Sequence, residues 1–381
     1  MPTFRLGYFP GDPEVLSPAE REAWNEVLET GAVNPDPVVR RRVADYRYTP
    51  VHLLELLSRD VDEQVRTWVA LNPNTPVQVL EHLSRDAHLF VRIRVAQNRR
   101  TPHSVLERFS KDDDLKCRVA LNPGAPPSLL EALSEDEDRG VRLHVTHNPQ
   151  CSPETLRKLS TDPEEGVRDG VVQNPNCPLE TLAHLYNADD LSMSSKIAHH
   201  PNASSELLEG LVQLPDDSIK RAVVKHPHTP ANALAWLGNE AAEKIALCRL
   251  RNPSSSAVSW GYGKDSVERE AWLILKAIAK HPNTSVELLE RMSKSADWIL
   301  HTCVAENPRC PPELLEQMSH RTESHLLKTL AGNPNCPADT LERMSRNADW
   351  PLLRVIAGNP NCPANLLEGL RLEALFTLKN L

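Results

Sequence analysis

The sequence predicts an all-α solenoid, because one unit of about 26 residues recurs through most of the 381-residue chain and each copy holds two short helix patterns. Asn-Pro marks the period. The anchor column reads Tyr46, Asn72, Asn98, Asn122, Asn148, Asn174, His200, His226, Asn252, His281, Asn307, Asn333 and Asn359. Steps are 26 residues except for one of 24 before Asn122 and one of 29 before His281. The 32 prolines keep step with that period, so they punctuate helices and do not signal disorder.

Taken in chain order, residues 1–35 read as an N-terminal cap. Ser17-Pro18-Ala19-Glu20 is a capping box with Pro at N1, and it opens a helix that Gly31 can close. Residues 36–251 form a first block of repeats. In a typical copy, Val65-Arg66-Thr67-Trp68-Val69-Ala70-Leu71-Asn72 places its apolar residues on one helical face. The proline after the anchor biases the anchor out of the α region and ends this first helix. Thr75-Pro76 then offers a small N-cap with Pro at N1, and Val79-Leu80-Glu81-His82-Leu83 makes a second apolar face. A polar loop, Ser84-Arg85-Asp86-Ala87-His88, returns the chain to the next copy.

Residues 252–273 break the pattern. Ser254-Ser255-Ser256-Ala257-Val258-Ser259-Trp260-Gly261-Tyr262-Gly263 lacks the second Pro and the Leu-Leu pair, and its Ser run and glycines disfavour helix. Two readings stand: a degenerate repeat whose Trp260 fills a core gap, or a loop presenting Trp260 and Tyr262 to a partner. Residues 274–364 resume as a second block, and 365–381 read as a C-terminal cap.

The unit Val-Arg-x-x-Val-Ala-x-Asn-Pro-x-Cys/Thr-Pro-x-x-Leu-Leu resembles the leucine-rich repeat variant family, over roughly residues 36–370. Val167-Arg168 through Asn174-Pro175-Asn176-Cys177-Pro178 to Leu182 carries the likeness, as does Asn359-Pro360-Asn361-Cys362-Pro363 with Leu366-Leu367. The resemblance implies a right-handed superhelix of about thirteen helical repeats and, for function, a scaffold. HEAT-like repeats are similar at the Val-Arg step. The family's founding example carries an iron–sulfur cluster in a Cys-rich N-terminal segment. Residues 1–116 here contain no cysteine, so no cluster or other cofactor is expected.

Composition narrows the function further. A net charge of −9 and a pI near 5.9 argue against a general binder of nucleic acid or membrane surfaces. No apolar run approaches the roughly 18–20 residues of a membrane helix, and Met1-Pro2-Thr3-Phe4-Arg5 lacks a secretory apolar stretch. The expected compartment is cytoplasmic. Cys151, Cys177, Cys310, Cys336 and Cys362 share a column with Thr, Ala and Ser, which reads as a demand for a small side chain and not for a metal ligand. His200, His226 and His281 replace the anchor Asn, where either residue can hydrogen-bond the backbone as the first helix stops.

The most suggestive column stands six residues before the anchor. It holds Arg40, Arg66, Arg92, Lys116, Arg142 and Arg168 in six consecutive copies. Stacked cations roughly 10 Å apart suit an acidic peptide or a phosphate backbone. Alternatively, Asp60, Asp86, Asp136 and Asp162, each six residues ahead of a ladder cation, neutralise the row and stitch the stack together. Further positive charge comes from Arg41, Arg42, Arg47, Arg94, Arg99 and Arg100. Phosphate loops, nucleophile elbows and paired metal-binding histidines do not occur. The expectation is a non-catalytic scaffold that holds a protein or extended peptide on a concave surface, with no small-molecule substrate. Nucleic-acid binding through the ladder is the alternative.

Overall fold

A computed structural model describes residues 17–251, 266–295 and 297–368. Among these, all regular structure is helical, and the chain divides into two compact units, Met1–Leu185 and Tyr186–Leu381. The first contains α1 (Pro18–Ala32), α2 (Pro37–Asp45), α3 (Val51–Leu57), α4 (Glu63–Leu71), α5 (Val77–Leu83), α6 (Leu89–Gln97) and α7 (His103–Phe109). It continues with α8 (Lys116–Ala120), α9 (Pro127–Leu133), α10 (Arg139–His147), α11 (Pro153–Leu159), α12 (Glu165–Gln173) and α13 (Leu179–Leu185). The second contains α14 (Leu191–His199), α15 (Ser205–Leu211), α16 (Asp217–Lys225), α17 (Ala231–Arg251), α18 (Ser266–Lys280) and α19 (Val286–Ser293). Then follow α20 (Trp298–Ala305), α21 (Pro312–Met318), α22 (Ser324–Gly332), α23 (Ala338–Ser345) and α24 (Trp350–Gly358).

Within each unit the first helices lie side by side, α2 on α4 on α6 on α8 on α10 on α12, and α14 on α16 on α18 on α20 on α22 on α24. This is an α-solenoid. Val65, Val69, Ala70, Val79, Leu80 and Leu83 of one copy are all buried. No helix of seven to nine residues is stable alone. Burial of each large apolar side chain, about 1.5–3 kcal/mol, holds the stack.

The anchor column explains why Asn recurs. Asn72 Nδ2 donates to Ala44 O and Tyr46 O, both at 2.8 Å, while its Oδ1 accepts from Asn74 N at 2.9 Å. Asn98, Asn122, Asn148 and Asn174 repeat the pattern on the copy before them, as do Asn307, Asn333 and Asn359. A buried amide thus joins each copy to its predecessor with no donor wasted. Where His takes the place, Nε2 donates to the preceding anchor carbonyl: His226 to His200 at 2.9 Å, and His281 to His226 at 3.0 Å.

That last bond links the His281 copy directly to the His226 copy, and the intervening anchor expected at Asn252 lies outside the described residues. The second helix of the His226 copy runs on as the 21-residue α17, packed against the 15-residue α18, which itself stacks on α16. Residues 266–273, expected in a degenerate repeat or a loop, belong to α18. Trp260 and Tyr262 lie outside the described residues.

Three local expectations also shift. Helix α1 has its capping box on Ser17 and Glu20 but runs one residue past Gly31, to Ala32. In most copies the second proline is the N-cap and not N1, as with Pro50, Pro76 and Pro102; Ser152 with Pro153 follows the expected arrangement. The small residue before that proline faces backwards: Thr75 Oγ1 donates to Val69 O and Thr101 Oγ1 to Val95 O, both at 2.5 Å, closing the end of the first helix. In the described part of the expected C-terminal cap, residues 365–368 are helical.

Candidate functional site

The ladder cations lie in the first helices of the N-terminal unit, half-buried at the joins between copies. Arg66 shows the design. Its Nη1 donates to Asp60 O at 2.7 Å and Val61 O at 3.2 Å, the loop leading into its own helix. Its Nε and Nη2 grip the Asp86 carboxylate of the next loop at 2.7 and 3.1 Å. Arg40 with Asp60 and Arg142 with Asp162 are built identically, and Lys116 Nζ meets Asp136 at 2.9 Å. The partner is therefore twenty residues ahead, not six behind: the six-behind aspartate gives only its backbone carbonyl. Burial alone would raise the Asp60, Asp86 and Asp162 carboxylates, but the arginine hydrogen bonds and a loop N–H hold them below the usual range.

Two ladder members differ. Arg92 and Arg168 keep the bonds to their own loop carbonyls, Asp86 O and Asp162 O. Twenty residues beyond Arg168 stands Ala188, and the step after Arg92 is the short one of 24. Other loop acids also have structural work. Asp36, Asp62, Asp138, Asp190, Asp216, Asp297 and Asp349 cap first helices by accepting from backbone N–H groups. Those acids were legible as an N-cap signal one residue before each first helix.

A second column runs beside the ladder on the first helices. The column four residues before the anchor reads Arg42, Trp68, Arg94, Arg118 and His144 in five consecutive copies. Arg118 is exposed and the other four are half-buried. Arg94 Nη1 donates to Gln97 Oε1 at 2.8 Å, within its own helix. Beside this column Phe90 is 61% exposed, and Val38, Leu71 and Leu121 also show apolar surface. Burial, then His147 and Arg118, hold His144 below the ordinary imidazole range. Asp45 moves the other way: burial raises it against the pull of Arg41 and Arg42.

The second helices border two open grooves of about 930 and 490 Å³. The larger combines Val33, Leu56 and Val61 with His52, Arg59 and His82; the smaller is mainly polar, with Glu81, Arg85, Asp86 and Arg108. The column cysteines are buried. Burial pushes the thiols of Cys151, Cys177 and Cys310 up to about 12 and Cys336 to about 11, so they stay protonated.

Residues 63–88 match the model of the leucine rich repeat variant. A solved structure, a leucine-rich repeat variant with a novel repetitive protein structural motif, is 31% identical, with 53% of this chain and 81% of that one covered and a TM-score of 0.38. The chain belongs to the leucine-rich repeat variant family. This leucine-rich repeat variant is also similar to Kap95p from its assembly with RanGDP, at 12% identity over 90% of this chain and 53% of that one, TM-score 0.32. Importin beta is a further similar structure, at 11% identity over 88% and 53%, TM-score 0.23. The chain spans about half the length of each of these two. No curated protein matches the sequence. Among the described residues, no helix is long and apolar enough to cross a membrane.

Proposed function

We propose that this leucine-rich repeat variant is a non-catalytic, cytoplasmic scaffold that binds a protein or an extended peptide on the outward side of its first helices. The observation that carries this reading is the distribution of unused chemistry. Anchor amides and most ladder cations join copies and the column hydroxyls close the first helices, whereas Trp68, Phe90, Leu71, Leu121, Arg94 and Arg118 make none of these bonds. Aromatic and arginine side chains gathered on one side are what protein interfaces favour. A small-molecule substrate is not expected, since the grooves are open and the hydroxyls of Ser58 and Ser84 in them donate to the backbone carbonyls of Glu55 and Glu81. Nucleic-acid binding through the ladder is less well supported, because Arg40, Arg66, Lys116 and Arg142 already hold carboxylates.

Site-specific photocrosslinking in native lysate tests the reading. A benzophenone amino acid at Gln97, on the first-helix side, is expected to capture discrete protein partners, and one at Glu131 on α9 is expected to capture few. Adducts only from Glu131, or none from Gln97, reject it.

A further inference from the structure

The C-terminal unit carries an aromatic row at the start of its last first helices. Helix α20 opens with Trp298 and α24 with Trp350, and His325 is the second residue of α22 between them. No first helix from α2 to α16 begins with an aromatic residue. The Trp298 and His325 rings meet edge to face across the join of their copies, centroids 6.3 Å apart. Trp350 is 52% exposed, His325 is exposed and Trp298 is half-buried. Trp272, which holds the place of Trp298 in α18, is buried, so the accessible row runs from α20 to α24. Neither the Trp298 nor the Trp350 indole N–H is used in a hydrogen bond within the chain.

Spacing and donors select the partner's backbone. Packed helices lie about 8–10 Å apart. A polyproline II segment turns once in three residues and rises about 3.1 Å per residue, so every third side chain recurs on one face at about 9 Å. A β-strand repeats a face after two residues of about 3.3 Å each, which is too short for the row. Polyproline II also leaves its carbonyls without internal partners, free to accept from the two indoles, whereas a helix uses its own.

Charge selects the side chains. Asp297 and Glu323, the N-caps of α20 and α22, stand beside the Trp298–His325 pair in sequence and hold no ion pair among the described residues. Glu323 makes no capping bond either. Of the cations in the loops leading into these helices, Arg321 donates back to Ser293 O at 3.3 Å and Arg346 lies 3.9 Å from Glu342. Lys328 lies 3.7 Å from Asp349. That leaves Lys294, at the C-cap of α19, against two carboxylates.

Resting on the scaffold reading above, we propose that the C-terminal unit binds a proline-rich, basic partner segment in the polyproline II conformation. Prolines at every third position pack on Trp298, His325 and Trp350, and basic side chains on an adjacent face reach Asp297 and Glu323. Such a segment is ordered before it binds, so aromatic contact suffices to hold it, and the carboxylates fix its register.

Fluorescence anisotropy on the full chain at near-physiological salt provides the test. The probe is fluorescein-labelled Pro-Pro-Arg repeated four times, and repeats of Ser-Ser-Arg and Pro-Pro-Glu of the same length are the comparison peptides. The probe is expected to bind at least tenfold tighter than either. His325→Ala with Trp350→Ala should weaken it tenfold or more, and Asp297→Asn with Glu323→Gln at least threefold. Phe90→Ala, in α6, should leave it unchanged. Circular dichroism verifies that the variants are folded. Equal affinity for either comparison peptide, indifference to either double substitution, or no binding of the probe each overturns the inference. Captured partners at Gln97 with no binding of the probe reject the aromatic row and leave the scaffold reading standing.

Discussion

The two units solve one stacking problem with different side chains. In the N-terminal unit the asparagine anchors are accompanied by cations, four of which, Arg40, Arg66, Lys116 and Arg142, grip a carboxylate of the next loop. In the C-terminal unit the ladder column of the first helices holds Ser194, Lys220, Leu275, His301, Leu327 and Leu353. Lys220 still finds Glu240 twenty residues on, at 2.6 Å, with its ammonium 5.2 Å from the Trp236 ring. His301 donates to Ser295 O, six residues back, in the manner of the arginine Nη1. Leu275 is simply buried. The backbone bonds of the anchor are thus the common requirement, and the ladder column accepts either an ion pair or an apolar plug. Periodicity alone marks a stacking column, and only columns that change between units are free to carry specificity.

The largest expected effect tests what the units share. Asn98→Ala and Asn333→Ala each strand two buried carbonyls and a backbone N–H, and each should cost about 4 kcal/mol in urea unfolding. Indifference in either unit would mean that the anchor is not the common element. Next, Asp86→Ala leaves the half-buried Arg66 guanidinium without its carboxylate, and should cost about 3 kcal/mol. Leu327→Ala, at the same column of the other unit but half-buried, should cost less.

Acidification separates the units by a smaller amount. His226 and His281 accept from His228 N and Asn283 N through Nδ1, so the buried ring must be neutral, and burial lowers both imidazoles below their ordinary value. Their contribution is fully present above the unfolded imidazole value near 6.5 and is lost as pH falls through the lower folded value. The ladder aspartates, lowered in the folded state, contribute above their unfolded value near 3.9 and fail only in stronger acid. A melting temperature that drops between pH 7 and pH 5, and drops less in His226→Asn with His281→Asn, is the expected result. The smallest change comes from the column before the second proline. Thr75→Cys removes the bond to Val69 O and should cost about 1 kcal/mol by chemical denaturation.

Much of this was legible in the sequence, for a physical reason: a periodic core forces periodic residues, so helix pairs, anchors and small-residue columns appear without coordinates. The ladder shows the limit. In a 26-residue repeat, an aspartate six residues behind one cation is also twenty residues ahead of the previous one, and only the fold tells which copy it serves. Asn252-Pro253 reproduces the anchor dipeptide and lies outside the described residues, while nothing in the sequence signals the long α17 or the direct bond between His281 and His226. The second column of Arg42, Trp68, Arg94, Arg118 and His144 does not stand out in the sequence because Arg, Trp and His share no chemical pattern there.

The anchor bond has a direction. Every asparagine gives hydrogens towards the N-terminal side and offers its own carbonyl towards the C-terminal side, so each seam between copies is a plug and socket of one fixed polarity. Tyr46 opens the series with a ring set against Trp24 of α1, centroids 6.0 Å apart. A duplicated copy spliced in at any seam arrives with both fittings already correct. Such an array can lengthen or shorten by whole copies without redesigning its neighbours, and the long excursion between His226 and His281 is tolerated because the seam closes across it.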